Sequence, residues 1–125
     1  MSLGAGVSLL SSCSTTKVAT GTSEKGVLRI DAAQFTADTK SLLVRDKQLE
    51  FDILLVKINE TTYRALYMQC THENNPLTYN SKGIYCLSHG SEFDMEGTVT
   101  LGPAASNLKQ FPTQIENNFI TIKIS

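Results

Sequence analysis

An all-β fold, a small antiparallel sandwich or barrel, is what the sequence predicts. Short runs rich in Ile, Val, Leu and Tyr recur at close spacing. Asn, Asp, Gly and Lys punctuate them, and these are turn-forming positions. No segment sustains the period of a long amphipathic helix. At 125 residues the chain suits one domain with a modest core and leaves little room for a second catalytic domain.

The elements follow in chain order. Residues 1–26 are rich in Gly, Ser, Thr and Ala, lack aromatics and show no sustained period, which predicts a flexible tail or tether. The folded domain is expected over residues 27–125. Val27-Leu28-Arg29-Ile30 is a short β-rich run, and Asp31 to Phe35 suits a helical turn or loop. Ser41 to Val44 is a candidate strand, followed by a turn at Asp46-Lys47. Phe51 to Ile58 contains the continuous run Ile53-Leu54-Leu55-Val56, which suits a strand buried on both faces. Asn59-Glu60 forms a turn. Thr62 to Met68 then alternates Tyr63, Ala65 and Tyr67 against Thr62, Arg64, Leu66 and Met68. Near the end, Ile120, Ile122 and Ile124 alternate with Thr121 and Lys123. Asn117-Asn118 supplies a hairpin turn, with Phe111 to Ile115 as the expected partner strand.

Composition excludes several function classes. Eleven Lys+Arg against twelve Asp+Glu give a net charge of −1, so the totals carry no basic footprint for nucleic acid. Charged residues make up 18% of the chain, a globular rather than a disordered balance. No apolar run reaches the 18 or so residues of a transmembrane helix.

The chemistry is concentrated in one window. Both histidines and two of the three cysteines lie between Cys70 and His89, as Cys70-Thr71-His72 and Cys86-Leu87-Ser88-His89. Structural zinc accepts two Cys and two His, but its fingers usually pair Cys with Cys and His with His. A Cys–His nucleophilic pair needs only one of each and leaves the duplication unexplained. A [2Fe–2S] cluster with two Cys on one iron and two His on the other takes one Cys and one His from each of two loops, so mixed pairs suit it.

The surrounding residues resemble the Rieske family. Cys70-Thr71-His72 matches its first box, and Cys86-Leu87-Ser88-His89-Gly90-Ser91-Glu92-Phe93-Asp94 its second. Gly97 stands at a turn glycine, and Gly102-Pro103-Ala104 matches the proline loop that covers the cluster. The resemblance spans about residues 27–125 and implies a Rieske-type sandwich or barrel with a cluster-binding subdomain of two loops, about residues 68–104. It implies a [2Fe–2S] cofactor held by Cys70, His72, Cys86 and His89, with Ser91 hydrogen-bonded to the cluster and Pro103 in the covering loop. A redox partner is then expected to dock at the exposed histidine edge. Two thiolates cancel the two positive charges of the oxidised core, so the site accepts an electron readily, at roughly −150 to +300 mV.

The departures from the family are informative. Respiratory members join the two loops by a disulfide, at positions that correspond here to Asn75 and Ser88. The spacer between His72 and Cys86 is short, which predicts a compact first loop. High-potential members carry a Tyr where Phe93 stands, and a Phe cannot donate to a ligand sulfur. A potential in the lower or middle part of the range is expected. Other residues suit plainer roles. Met68 and Met95 are expected to pack, as are Tyr67, Tyr79 and Tyr85, although Tyr79 or Tyr85 could shield the cluster. Asp94 is expected to cap a turn, and Glu73-Asn74-Asn75-Pro76 to form one.

Leu10-Ser11-Ser12-Cys13 resembles the lipobox of bacterial lipoproteins, which implies lipidation at Cys13 and a tether from Ser14 to Gly26. The segment departs from that pattern in having no Lys or Arg before Cys13 and a short apolar stretch. The sequence therefore suggests a one-electron carrier or redox subunit anchored on the extracytoplasmic side of a bacterial envelope. A cytoplasmic ferredoxin feeding an oxygenase and a zinc-stabilised structural module are the alternatives. A self-sufficient oxygenase is not expected, because both histidines are committed and its catalytic iron would need a two-His, one-carboxylate triad.

Overall fold

The structure, a computed structural model, describes residues 18–20 and 22–125. Thirteen strands lie among them: β1 (Val18–Thr20), β2 (Thr22–Glu24), β3 (Val27–Asp31), β4 (Ser41–Arg45), β5 (Ile53–Asn59), β6 (Thr62–Tyr67), β7 (Thr78–Asn80), β8 (Gly83–Tyr85), β9 (Glu92–Phe93), β10 (Val99–Leu101), β11 (Gln110–Phe111), β12 (Thr113–Glu116) and β13 (Phe119–Lys123). A single 3₁₀ turn, Ala32–Gln34, is the helical content of the described residues, and the Asp31 side chain caps it by accepting from the Ala33 N–H at 2.9 Å.

The strands form three sheets, in the orders β1-β4-β5-β6-β11, β12-β13-β3-β2 and β10-β9-β8-β7. All pairings are antiparallel except β1 with β4, which is parallel. The first two sheets form a sandwich around Leu28, Ile30, Leu42, Val44, Ile53, Leu55, Ile120 and Ile122. The third packs on the other face of the five-stranded sheet, around Leu54, Leu66, Met68, Ile84 and Phe93.

The alternation of a β-strand explains how one sheet serves two cores. In β5, Ile53 and Leu55 face the sandwich core, and Leu54 between them faces the third sheet; all three are fully buried. The continuous apolar run predicted as buried on both faces is buried on both faces. Burying each such side chain contributes about 1.5–3 kcal/mol.

Two features differ from the sequence reading. Residues 18–20 and 22–24, expected in a flexible tail, are strands. A two-residue turn with positive φ at Lys25 and Gly26 folds β2 onto β3. Pairing with β4 and β3 forms these two strands, and three-residue runs carry no period to announce them. Second, Phe111 to Ile115 is not one strand. Pro112 interrupts it, so Gln110 and Phe111 pair with β6, whereas Thr113 to Glu116 cross to β13. Proline lacks the N–H that a continuous ladder requires. The Thr113 hydroxyl, donating to the Tyr63 carbonyl at 2.8 Å, pins the crossing to β6. The Asn117-Asn118 hairpin turn is as expected, with φ of 52° and 66°.

Because β6 and β11 are paired neighbours, residues 68–109 leave the frame and return to it between two adjacent strands. This excursion carries the third sheet and the candidate site. No helix among the described residues is long and apolar enough to cross a membrane.

Candidate metal centre

Two loops of similar build project from the third sheet. The first leaves β6 through Met68 and is closed at its base by a bridge between Gln69 and Pro76 and by the Leu77 N–H donating to the Met68 carbonyl at 3.2 Å. Inside it, the Cys70 N–H donates to the Asn75 carbonyl at 2.9 Å and the Asn75 N–H to the Glu73 carbonyl at 2.7 Å. The Gln69 amide donates to the Asn74 side-chain oxygen across the same loop at 2.8 Å. This is the compact first loop that the short spacer predicted.

The second loop joins β8 to β9. The Cys86 N–H donates to the Ser91 carbonyl and the Gly90 N–H to the Cys86 carbonyl, both at 2.9 Å. Gly90 has φ +87°, a backbone conformation that glycine adopts without a Cβ penalty.

Each loop places a cysteine against the second core and sends a histidine outward. Cys70 and Cys86 are each 1% exposed and are free thiols. His72 and His89 are exposed, and their rings meet edge to face at 84° with centroids 5.0 Å apart. The four residues singled out by their spacing thus converge from two loops, with sulfur inside and imidazole outside. Burial pushes the Cys70 thiol up, but it is outweighed by the backbone N–H groups of His72 and Glu73 and by the Cys86 and Ser91 side chains. The net effect holds Cys70 below the ordinary thiol range, favouring the thiolate that binds metals.

Ser91 is fully buried, and its oxygen accepts from the Ala104 N–H at 2.9 Å while its hydroxyl faces the Cys70 sulfur. Ala104 follows Pro103 in a third loop, where the Gly102–Pro103 peptide is cis. Pro103 itself is exposed. Phe93 is buried in the second core, as are both cysteines.

The plainer roles also take shape. Asp94 caps a turn, its carboxylate accepting from the Glu96 and Thr98 N–H groups at 2.9 Å each. Gly97 closes that turn with φ +86°. Met68 lies in the second core, and Met95 packs against it. The Tyr67 ring meets Phe51 and Phe111 edge-on. Tyr79 packs on the second core, where burial pushes its phenol up against the opposing hydrogen bond to Ser41. The Tyr85 hydroxyl lies 3.4 Å from the Asn80 side-chain oxygen, within its own hairpin.

Sequence reasoning missed Glu73. Its carboxylate oxygen lies 3.8 Å from His89 Nε2 across the two loops, and it groups with His72 and His89. Read along the chain, Glu73 belongs to a turn; only the fold brings it to the second loop.

Fold and site together define a small all-β protein that sets paired thiols and paired imidazoles, residue types that ligate metals, on two loops. Residues 27–112 match the family model of the Rieske [2Fe-2S] domain, and the chain belongs to that family. It is an electron-transfer protein, and the family's cofactor is a [2Fe–2S] cluster. The chain is 34% identical over 70 residues to the ubiquinol-cytochrome c reductase iron-sulfur subunit of Blastochloris viridis, covering 54% of this chain and 39% of that one. It therefore spans about two fifths of that relative's length. The plasma membrane Rieske protein PetC3 of Synechocystis PCC 6803 is 26% identical, with a TM-score of 0.57 over 67% of this chain and 86% of that one. The carbazole 1,9a-dioxygenase ferredoxin of Nocardioides aromaticivorans IC177 shares the fold at 15% identity, with a TM-score of 0.57 over 79% of this chain and 98% of that one.

Proposed function

We propose that Cys70 and Cys86 hold one iron of the cluster and His72 and His89 the other, so that the protein carries single electrons to or from a partner at the histidine edge. The observation behind this reading is the convergence of two buried free thiols with two exposed imidazoles from separate loops. The donor set fits the cofactor: two thiolates for one iron and two neutral imidazoles for the other. When bound, the cluster supplies one reversible electron per cycle. The protein's own part is to hold Cys70 as a thiolate, to exclude water from both sulfurs with the second core, and to leave the imidazoles open to solvent and partner. Ser91 tunes the sulfur side by donating to Cys70, and the loop carrying Pro103 covers it.

We place this carrier on a tether outside the cytoplasm, as a redox subunit or a freestanding carrier. Support comes from the Leu10-Ser11-Ser12-Cys13 motif, which lies outside the described residues, and from the likeness to a plasma membrane Rieske protein. The second reading, a cytoplasmic ferredoxin, is favoured by Asn75 and Ser88 in place of a disulfide and by Phe93 in place of Tyr. The mass of the natively processed protein, measured with its co-purifying partner, separates the two.

The ligand assignment is tested by electron paramagnetic resonance of the iron-loaded protein. His89→Ala is expected to abolish the Rieske signal. A variant that retains it makes the assignment wrong, and a colourless zinc-only protein supports the structural module instead.

A further inference from the structure

We infer that Glu73 sets the reduction potential from outside the cluster, its carboxylate lowering the affinity of the site for an electron. The inference rests on the cluster assignment proposed above. Glu73 follows His72 directly, yet its side chain reaches the other loop, where Oε1 lies 3.8 Å from His89 Nε2. The carboxylate thus stands one imidazole away from the iron that His89 would hold. Its backbone is fixed in the first loop, where the Glu73 carbonyl accepts from the Asn75 N–H at 2.7 Å and the Glu73 N–H faces the Cys70 sulfur. On the three loops of the tip, residues 70–76, 86–91 and 102–108, Glu73 is the single Asp, Glu, Lys or Arg. Ion pairs among the described residues are Arg45–Asp52, Lys57–Glu60 and the contact of Glu73 with His89, so the basic partner of Glu73 is a ligand imidazole. Of the two cations in the excursion, Lys109 sits over the Phe111 ring at 5.0 Å and Lys82 lies in the turn between β7 and β8.

Reduction adds one negative charge to the cluster, wherever within it the electron resides. A fixed carboxylate repels that charge, so it favours the oxidised state and lowers the potential. The contact is open to water, with 40% of the His89 side chain and 57% of the Glu73 side chain exposed, so screening sets the magnitude. In water, a unit charge about 7 Å away changes an equilibrium about threefold. Glu73 therefore opposes Ser91, which stabilises the reduced site from the buried side by donating to Cys70. A glutamine at position 73 keeps the backbone N–H that faces Cys70 and the length of the side chain. It removes the charge alone.

The test uses the full chain loaded with cluster, reduced by dithionite through mediators at one fixed pH and followed by visible circular dichroism. Glu73→Gln is expected to raise the affinity for the electron about threefold, a potential higher by about 30 mV at 59 mV per tenfold. Glu73→Lys is expected to double that shift, and Glu73→Asp to stay close to the wild type. The gap between wild type and Glu73→Gln is expected to shrink as salt is raised from about 0.02 to about 0.5 M. Glu96→Gln removes an exposed charge from the Asp94–Gly97 turn and is expected to leave the potential unchanged. A wild-type potential in Glu73→Gln at low salt overturns the inference. Equal shifts in Glu73→Gln and Glu73→Asp overturn it as well, since shape rather than charge then matters. A shift in Glu96→Gln as large as that in Glu73→Gln overturns it too, since net charge then suffices. If Glu73→Gln does not load, Glu73→Asn and Glu73→Ser remove the same charge, and the same threefold shift decides. A wild-type chain that loads no iron–sulfur chromophore overturns the cluster assignment itself, and the role of Glu73 with it.

Discussion

Replacing Ser91 with alanine removes one oxygen with two partners, and the two losses are read by different instruments. The Ala104 N–H, which donates to Ser91 Oγ at 2.9 Å in a buried setting, loses its acceptor. An orphaned buried donor costs about 1–3 kcal/mol. For a domain of this size that lowers the melting temperature by about 4 to 12 °C. The second loss falls on Cys70, whose sulfur no longer receives the Ser91 hydroxyl. A donor to a ligand sulfur stabilises the reduced state more than the oxidised one, because the reduced site carries the extra negative charge. A hydrogen bond to a charged group contributes about 1.5–3 kcal/mol. With about half of that distinguishing the two oxidation states, Ser91→Ala lowers the potential by on the order of 30 to 65 mV, at about 59 mV per tenfold. Thermal melting of the cluster-free protein reads the first effect, and a potentiometric titration of the loaded protein reads the second. A variant with wild-type melting temperature and wild-type potential refutes the assignment of both partners.

Two further outcomes follow from the geometry. Gly97→Ala forces a non-glycine residue into φ +86° and brings a Cβ to 2.8 Å from Leu66 Cδ2, itself fully buried. The backbone alone costs about 1–2 kcal/mol, so calorimetry should show a lower melting temperature, and an unchanged one counts against the turn geometry. In the cluster-free protein, Cys70 should titrate below an ordinary thiol, seen as ultraviolet thiolate absorption that Cys70→Ser removes. Its folded value lies below its unfolded one, so the stabilisation is fully present above the unfolded value. It is lost as pH falls through the folded value. Cluster-free stability that is flat across that window contradicts the environment described for Cys70.

The mixed Cys–His pairs stand out along the chain by residue identity and spacing, and the fold brings their two imidazoles together and sets both cysteines in one core. The run Ile53-Leu54-Leu55 and the turn Asn117-Asn118 were legible because both are local signals: an unbroken apolar stretch and a pair of turn-forming residues. What was not legible has the opposite character. Strands β7 to β10 are two or three residues long, too short for any period, and they are strands because neighbours complete their ladders. β1 and β2 are three residues each, too short to carry a period, and they pair with the edges that β4 and β3 offer. Pro112 signals a break, but which sheet each side joins is set by the partners available to Phe111 and Thr113. Glu73 meets His89 only through the convergence of two loops.

The excursion of residues 68–109 between adjacent strands has a consequence for how such a protein can diversify. Its entry and exit share one doorway in the frame, so the redox tip can be lengthened, shortened or exchanged without rethreading the sandwich. The limit on that freedom is the common wall. Leu54 and Leu66 belong to the frame by their backbone and to the tip by their side chains. An exchanged tip must still present a surface that fits them, and this narrow apolar seam, rather than the cluster boxes, sets which tips a given frame accepts.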